Sequence, residues 1–314
     1  MTIPGPASPT VVAVVVAYGK TAPQLLPLLS AVNGQVTQVV LVDNSEPSGS
    51  LNESSLLAQF PTLHVIINRA NLGVARAQNQ GVARALEQGA DFILLLDDDS
   101  MPAADMVARL MDAWRSAAAQ GRKIAAAAPN FRDVGSGQWA IFPVLHRFGI
   151  ARRRCAGQPM IVCDYLTASG MLISREVWLA VGVMGEALFI DYVDTDWCLR
   201  AWSQGYRFIG VCNASMEHQF GGSARAINLW GGRRIPYRAA TRLYYMYRNA
   251  VLLLRQDYCP LVWKLRELPR LAVSAGLLVG RGPERMLRLK MILLGLNHGI
   301  RGIGGRMPVN ADAG

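Results

Sequence analysis

The sequence predicts an α/β protein: a mostly parallel sheet with helices on both faces, followed by a helical C-terminal extension. Three observations predict it. Four apolar runs, at residues 11–17, 38–42, 63–67 and 92–96, alternate with helical stretches at 22–31, 51–59 and 74–88. The runs at 11–17 and 92–96 are continuously apolar rather than alternating, as strands buried on both faces are. All four end in polar residues: Tyr18, Asp43-Asn44-Ser45, Asn68-Arg69 and Asp97-Asp98-Asp99. Four such strand ends along one sheet edge make a crevice of nucleotide size.

The middle of the chain is less regular. Residues 101–121 read as a helix, 124–129 as a short strand and 132–154 as a Gly-rich loop. Strands follow at 160–163 and 171–173, around the turn Thr167-Ala168-Ser169-Gly170, and then a short helix at 175–181. An acidic stretch at 189–196 opens a helix through Trp202, and residues 206–212 form another strand. Helices are expected over 237–254, 261–278 and 284–296. The domain reading is a flexible start (1–9), a catalytic domain (10–255), a basic helical region (256–306) and a disordered tail (307–314). There is no internal repeat.

Charge is unevenly spread. The formal net charge is +10, yet between Arg233 and Arg306 fifteen Lys/Arg face only three acids, a local surplus of twelve. Such a segment suits an anionic partner surface. No nucleic-acid recognition motif is present, so an anionic membrane surface is preferred over DNA or RNA. No run is long and clean enough to span a bilayer, and the Pro-rich start lacks the positive region of a signal peptide. The expected place is the cytoplasm, and two readings of the basic helices stay open: they lie on the inner face of the membrane, or they pack on the catalytic domain or in a dimer interface. Five cysteines with no Cys-x-x-Cys pair are expected to be free thiols in a reducing compartment. The sequence does not specify an oligomeric state.

Three consecutive carboxylates at a strand end repel one another unless a cation holds them. Hard oxygen ligands suit Mg²⁺ or Mn²⁺, and such an ion clamps a diphosphate. The alternatives are a solvated acidic turn and a helical Asp-Asp-x-x-Asp site. The latter is disfavoured by the non-helical run before the acids and by Pro102 after them. Asp191, Asp194 and Asp196 form a second cluster, at a helix start that favours negative charge. Three acids in six residues exceed what capping needs, and a carboxylate kept ionised there suits a general base. One of them can instead pair with Arg200. His218 follows a strand, and its ring suits a Mn²⁺ shell completed by Asp99. Gly73 permits close backbone approach, and Arg76 is placed to reach a phosphate or a base.

The order of these elements resembles family 2 inverting glycosyltransferases. The resemblance rests on Leu-Val-Asp43-Asn-Ser, on Asn71-Leu-Gly73-Val-Ala-Arg76-Ala-Gln-Asn79-Gln-Gly81, on Leu-Leu-Leu-Asp97-Asp98-Asp99-Ser, and on Phe-Ile-Asp191-Tyr-Val-Asp194-Thr-Asp196-Trp-Cys-Leu-Arg200. It spans roughly residues 10–255. Residues 167–173, 189–200 and Arg242-Leu-Tyr-Tyr-Met-Tyr-Arg248-Asn249 are most similar to bacterial rhamnosyltransferases that use dTDP-L-rhamnose. The resemblance implies a GT-A type fold for nucleotide-diphospho-sugars, with Mg²⁺ or Mn²⁺ as cofactor. It implies that Asp43 contacts the base, Asp97 the ribose or metal, and Asp99 the metal. Asp194 would be the catalytic base, supported by Asp191 and Asp196, and His218 would be a metal ligand. Tyr18, Asn71, Gly73, Arg76, Asn79 and Asp98 would line the donor site. The implied acceptor is a cell-surface glycan or its lipid-linked precursor. Gly19 stands where the family commonly has Asn, and Val193 where it has Glu. The Asp-Asp-Asp triplet is shared with galactofuranosyltransferases, so a UDP-sugar donor is the alternative. A non-catalytic nucleotide-sugar-binding protein is the alternative of another class.

Overall fold

A computed structural model describes residues 9–47, 51, 53–147, 149–219, 226–228, 234–236, 239–281 and 284–308. The expected flexible start and the end of the expected tail lie outside these residues, apart from Pro9 and 307–308. The first half is βαβ-built: β1 (Val11–Ala17), α1 (Ala22–Asn33), β2 (Gln38–Asp43), α2 (Glu53–Gln59), β3 (Leu63–Ile67), α3 (Val74–Glu87) and β4 (Phe92–Asp97). β1 pairs in parallel with β2 and β4, and β2 with β3. Side chains alternate across β1: Val12, Val14 and Val16 enter one apolar core, while Val11, Ala13, Val15 and Ala17 enter the other. The continuous apolar run is therefore two buried faces interleaved.

The second half adds β5 (Ser100–Pro102), α4 (Met106–Ala119), β6 (Ile124–Asp133), β7 (Phe142–His146), β8 (Gly149–Arg153), β9 (Met160–Cys163), β10 (Met171–Ser174), α5 (Arg175–Val181), α6 (Val193–Ser203) and β11 (Arg207–His218). The main sheet has the order β3-β2-β1-β4-β10-β6-β11-β5, with β9 also pairing on β11. β10 runs antiparallel between β4 and β6, and β11 is parallel to β6. A two-stranded pair, β12 (Ala226–Asn228) and β13 (Arg234–Pro236), precedes α7 (Ala240–Leu254), α8 (Leu261–Arg281) and α9 (Arg285–Ile300). α7, α8 and α9 share an apolar core around Tyr247, Leu271, Leu278 and Ile292. α9 lies close on α7 because Gly295 faces the Tyr244 carbonyl, where an added Cβ would sit 2.5 Å away.

Four expectations are corrected. The helix expected from residue 101 begins at Met106, because residues 100–102 pair with β11 and Pro102 suits that sheet edge. The stretch 132–154 is not a plain loop: β6 continues to Asp133, and β7 and β8 form a hairpin. β11 runs on from 212 to His218 through a register shift between Val211 and Ser215, so the short polar residues there form an irregularity in a strand that stays paired with β6. Finally, Cys155 and Cys212 are joined in a disulfide across 57 residues, while Cys163, Cys198 and Cys259 are free and buried. β9 pairs with β11 and brings the two together, which spacing along the chain does not show.

Candidate active site

The acidic triplet sits at the carboxyl edge of the sheet. Asp97 ends β4 level with Val16 of β1, and the chain then turns through Asp98 and Asp99 into β5. Asp97 donates its backbone N–H to Ser169 Oγ at 3.2 Å, which fixes the start of the turn. Asp98 points the other way. Its carboxylate accepts from the Tyr18 N–H at 2.9 Å and lies 3.6 Å from Lys20 Nζ, so it ties the triplet to the end of β1. Burial raises the Asp98 carboxyl, against the Tyr18 hydrogen bond and Lys20.

The register of β11 on β5 sets His218 opposite Ser100, and so beside the triplet. Its Nε2 is 3.4 Å from Asp97 Oδ2, and its Nδ1 is 3.4 Å from Asp99 Oδ1. Burial alone would lower the imidazole, but the Asp97 hydrogen bond and the charges of Asp97 and Asp99 hold it above its ordinary value. Burial pushes the Asp99 carboxyl up to about 6; His218 opposes the rise and its two acidic neighbours add to it. One donor atom from each of Asp97, Asp99 and His218 lies within 4.8 Å of the others. Asp99 Oδ1 is buried and accepts no hydrogen bond. A buried carboxylate oxygen without a donor is costly, and two carboxylates with an imidazole match what Mn²⁺ or Mg²⁺ takes. The residues present fit a divalent ion.

The second acidic cluster belongs to a strained loop. Phe189, Asp191 and Tyr192 have φ of +65°, +62° and +64°, a left-handed conformation uncommon for residues with a Cβ. α7 holds the loop there. The Asn249 amide is directed at the carbonyls of Leu188, Ile190 and Asp191 at 2.7–2.8 Å, and Arg248 donates to those of Ala187 and Leu188. Both side chains are fully buried. Gly73 closes the loop from the other side. Val74 donates its N–H to the Phe189 carbonyl at 2.8 Å, and a Cβ on Gly73 would lie 2.7 Å from that oxygen.

Asp191, Asp194 and Asp196 have separate surroundings. Asp191 accepts from Arg242 at 2.9 and 3.2 Å. Asp194 sits in the first turn of α6 and accepts the Thr195 N–H at 2.7 Å. Burial raises its carboxyl to about 6, against the Thr195 bond, and the charges of Asp97 and Asp191 add to the rise. Asp194 therefore shares one field with the triplet. Asp196 is buried elsewhere, bonded to Tyr258 and 3.1 Å from Arg200 Nε, the acid–arginine pair considered from the sequence.

The remaining sequence-selected residues divide into exposed groups and loop-builders. Tyr18 and Arg76 are exposed. Asp43 is fully buried, and its carboxylate accepts from the backbone of Ser45 and Leu51, shaping the loop after β2. Asn71 bonds Asn44 and the Gly73 N–H. Asn79 is buried and ties α3 to Met184 and Glu186. Sequence reasoning missed the roles of Lys20, Ser169, Arg242, Arg248 and Asn249. Arg248-Asn249 inside the apolar run of α7 was the available signal, since buried polar groups need partners.

A doubly covered, mostly parallel sheet with carboxylates at its carboxyl edge, an imidazole among them and an acid at a facing helix start defines a nucleotide-sugar transferase of GT-A type. Comparison with known proteins agrees. Residues 12–177 match the family Glycosyl transferase family 2. The chain is 31% identical over 301 residues to the dTDP-rhamnosyl transferase RfbF of Shigella flexneri, covering 95% of this chain and 98% of that protein. The chain belongs to glycosyltransferase family 2. Solved structures share the fold. A crystal structure of GalNAc-T7 with UDP, GalNAc and Mn²⁺ superposes with a TM-score of 0.59 at 13% identity, covering 94% of this chain and 56% of that one. S. aureus TarS 1-349 gives a TM-score of 0.55 at 14% identity, covering 93% and 81%.

Proposed function

We propose that this glycosyltransferase moves L-rhamnose from dTDP-L-rhamnose onto a hydroxyl of a cell-surface glycan or its lipid-linked precursor, with inversion at the anomeric carbon. The observation that carries the donor is the near end-to-end similarity to the Shigella dTDP-rhamnosyl transferase. The placement of Asp194 within the field of Asp97, on a helix that follows a loop clamped from both sides, supports the inverting reaction.

In this reading Asp194 accepts the proton of the acceptor hydroxyl. The freed oxygen attacks the anomeric carbon from the face opposite the donor diphosphate. The new C–O bond forms as the bond to the diphosphate oxygen breaks, and the electron pair leaves with dTDP. Asp97, Asp99 and His218 would hold Mg²⁺ or Mn²⁺, which when bound supplies Lewis-acid stabilisation of the leaving diphosphate. Asp98 keeps the end of β1 against the triplet, so that Tyr18 borders the nucleotide. Asp43, Asn71 and Gly73 shape the donor wall, Arg76 offers it a cation, and Asn79 braces the helix behind it. Asp191 supports the base from the neighbouring loop, and Asp196, bonded to Tyr258 and Arg200, anchors the helix that carries it. A lipid-linked acceptor would place the reaction at the cytoplasmic face of the membrane, where the cationic C-terminal helices also fit.

The test is release of nucleoside diphosphate across dTDP-rhamnose, UDP-galactofuranose and UDP-hexoses with Mn²⁺ present. Turnover strongest with dTDP-rhamnose supports the reading. Preference for a UDP-sugar replaces the donor, and binding of every donor without turnover replaces catalysis with nucleotide-sugar binding.

A further inference from the structure

Sixteen large apolar side chains are exposed among the described residues, and nine of them fall between Leu261 and Ile300. They are ordered. On α8, Leu261, Leu265 and Leu268 are 68%, 61% and 54% exposed, spaced four and three residues apart, with Ala272 exposed on the same line. The opposite face of α8, with Trp263, Leu271 and Leu278, is the one buried in the protein. α9 repeats the arrangement. Met286, Leu289 and Leu293 are exposed, while Met291, Ile292 and Gly295 are buried against the neighbouring helices. Each helix thus carries two apolar faces, and folding covers only one.

We infer that the outer apolar faces of α8 and α9 form a docking surface for an anionic phospholipid leaflet. Charge selects this occupant. At helical spacing Lys264 borders the α8 stripe and the exposed Arg285 borders the α9 stripe, while Arg266 is turned to the Ile150 carbonyl and Arg288 is buried; of the acids on the two helices, Glu267 is buried and paired with Arg270. An apolar stripe edged by Lys and Arg lies in the interface of a bilayer, with its cations at the headgroups. A second copy of the chain is a poorer occupant, because pairing these faces would set the bordering Lys264 and Arg285 of one copy near the same cations of the other. No helix among the described residues is long and apolar enough to cross a membrane, so the surface lies on the leaflet. The inference stands on these helices alone and holds whichever sugar is transferred.

The test is flotation of the full chain with vesicles of phosphatidylcholine containing about one-third phosphatidylglycerol, at roughly physiological salt. The variant combines Leu265→Asp, Leu268→Asp, Leu289→Asp and Leu293→Asp; Leu179→Asp, an exposed leucine on α5, is the control. Wild type and control should float, the variant should lose at least about tenfold of its bound fraction, and pure phosphatidylcholine should hold little of any. Circular dichroism establishes that the variant is folded, and the comparison of the two vesicle types on wild type stands if it is not. Equal flotation of variant and wild type overturns the inference, as does wild type that binds neither vesicle or both alike. A wild-type dimer in sedimentation velocity that the variant abolishes overturns it in favour of a second copy.

Discussion

The guanidinium of Arg242, in the first turn of α7, donates to both carboxylate oxygens of Asp191 at 2.9 and 3.2 Å. The pair spans 51 residues and sets a cation against an acid whose charge adds to the field on Asp194. Removing the cation should therefore be felt at Asp194, the proposed base. In Arg242→Ala the exposed charge of Asp191 raises the Asp194 carboxyl further, moving the acidic limb of the pH–rate profile up by roughly one unit. Activity at pH 6 should fall more than activity at pH 8. Adding Asp191→Asn should bring the limb back toward wild type. A profile that keeps its midpoint in the single variant would show that the pair does not tune the base.

Asp194 itself gives two opposed effects. Asp194→Asn cannot take a proton and should lower turnover by roughly two to four orders of magnitude, with little change in donor affinity. In the wild type, activity should be lost as pH falls through about 6, where the carboxyl becomes protonated. Stability runs the other way. A carboxyl raised on folding takes up a proton between its unfolded and folded values, so stability falls as pH rises through that window and stays lower above it. Asp194→Asn should consequently melt higher than wild type at pH 7, by a few degrees. A variant that melts lower would mean that the Asp194–Thr195 hydrogen bond outweighs desolvation.

The carboxylate–imidazole group predicts a cation with a measurable thermal signature. Mn²⁺ should raise the melting temperature of the wild type and not that of Asp99→Ala. EDTA should abolish turnover reversibly, and Asp99→Ala permanently, without loss of fold. Full activity in chelator would remove the metal from the proposed reaction.

Asn249 touches no reacting atom in the proposed scheme, yet it is directed at three carbonyls of the left-handed loop. Asn249→Ala leaves those acceptors short of a buried donor, at a cost of roughly 1–3 kcal/mol. The turnover rate should fall while the acidic limb stays near its wild-type position, since no charge is changed. A shift of that limb instead would assign Asn249 an electrostatic effect on the base.

Much of this was legible in residues. Continuous apolar runs in β1, β2 and β4 reveal strands covered on both faces, and polar groups at their ends reveal the binding edge. Asp97, Asp99 and His218 were selected by type and context, and the structure brings all three together. The β7–β8 hairpin was not legible: its strands are partly exposed and mix Pro, Gly and Arg, so no period of two stands out. The Arg242–Asp191 and Cys155–Cys212 pairs were hidden because strand and helix packing, not spacing, decides which distant side chains meet. Asp196 shows the converse. Its spacing suited the site, but its partners Arg200 and Tyr258 hold it in a separate buried cluster.

β5 occupies the end of the sheet, where β11 is its neighbour. As the chain is synthesised, the acidic turn between β4 and β5 is therefore made long before the strand that secures its far side. The segment matching the family ends at 177, ahead of the Asp194 loop, His218 and the α7 amide that clamps the loop. Residues up to 177 thus carry the acidic triplet alone, and the carboxylate–imidazole group and the clamped loop are complete only once β11 and α7 have been added.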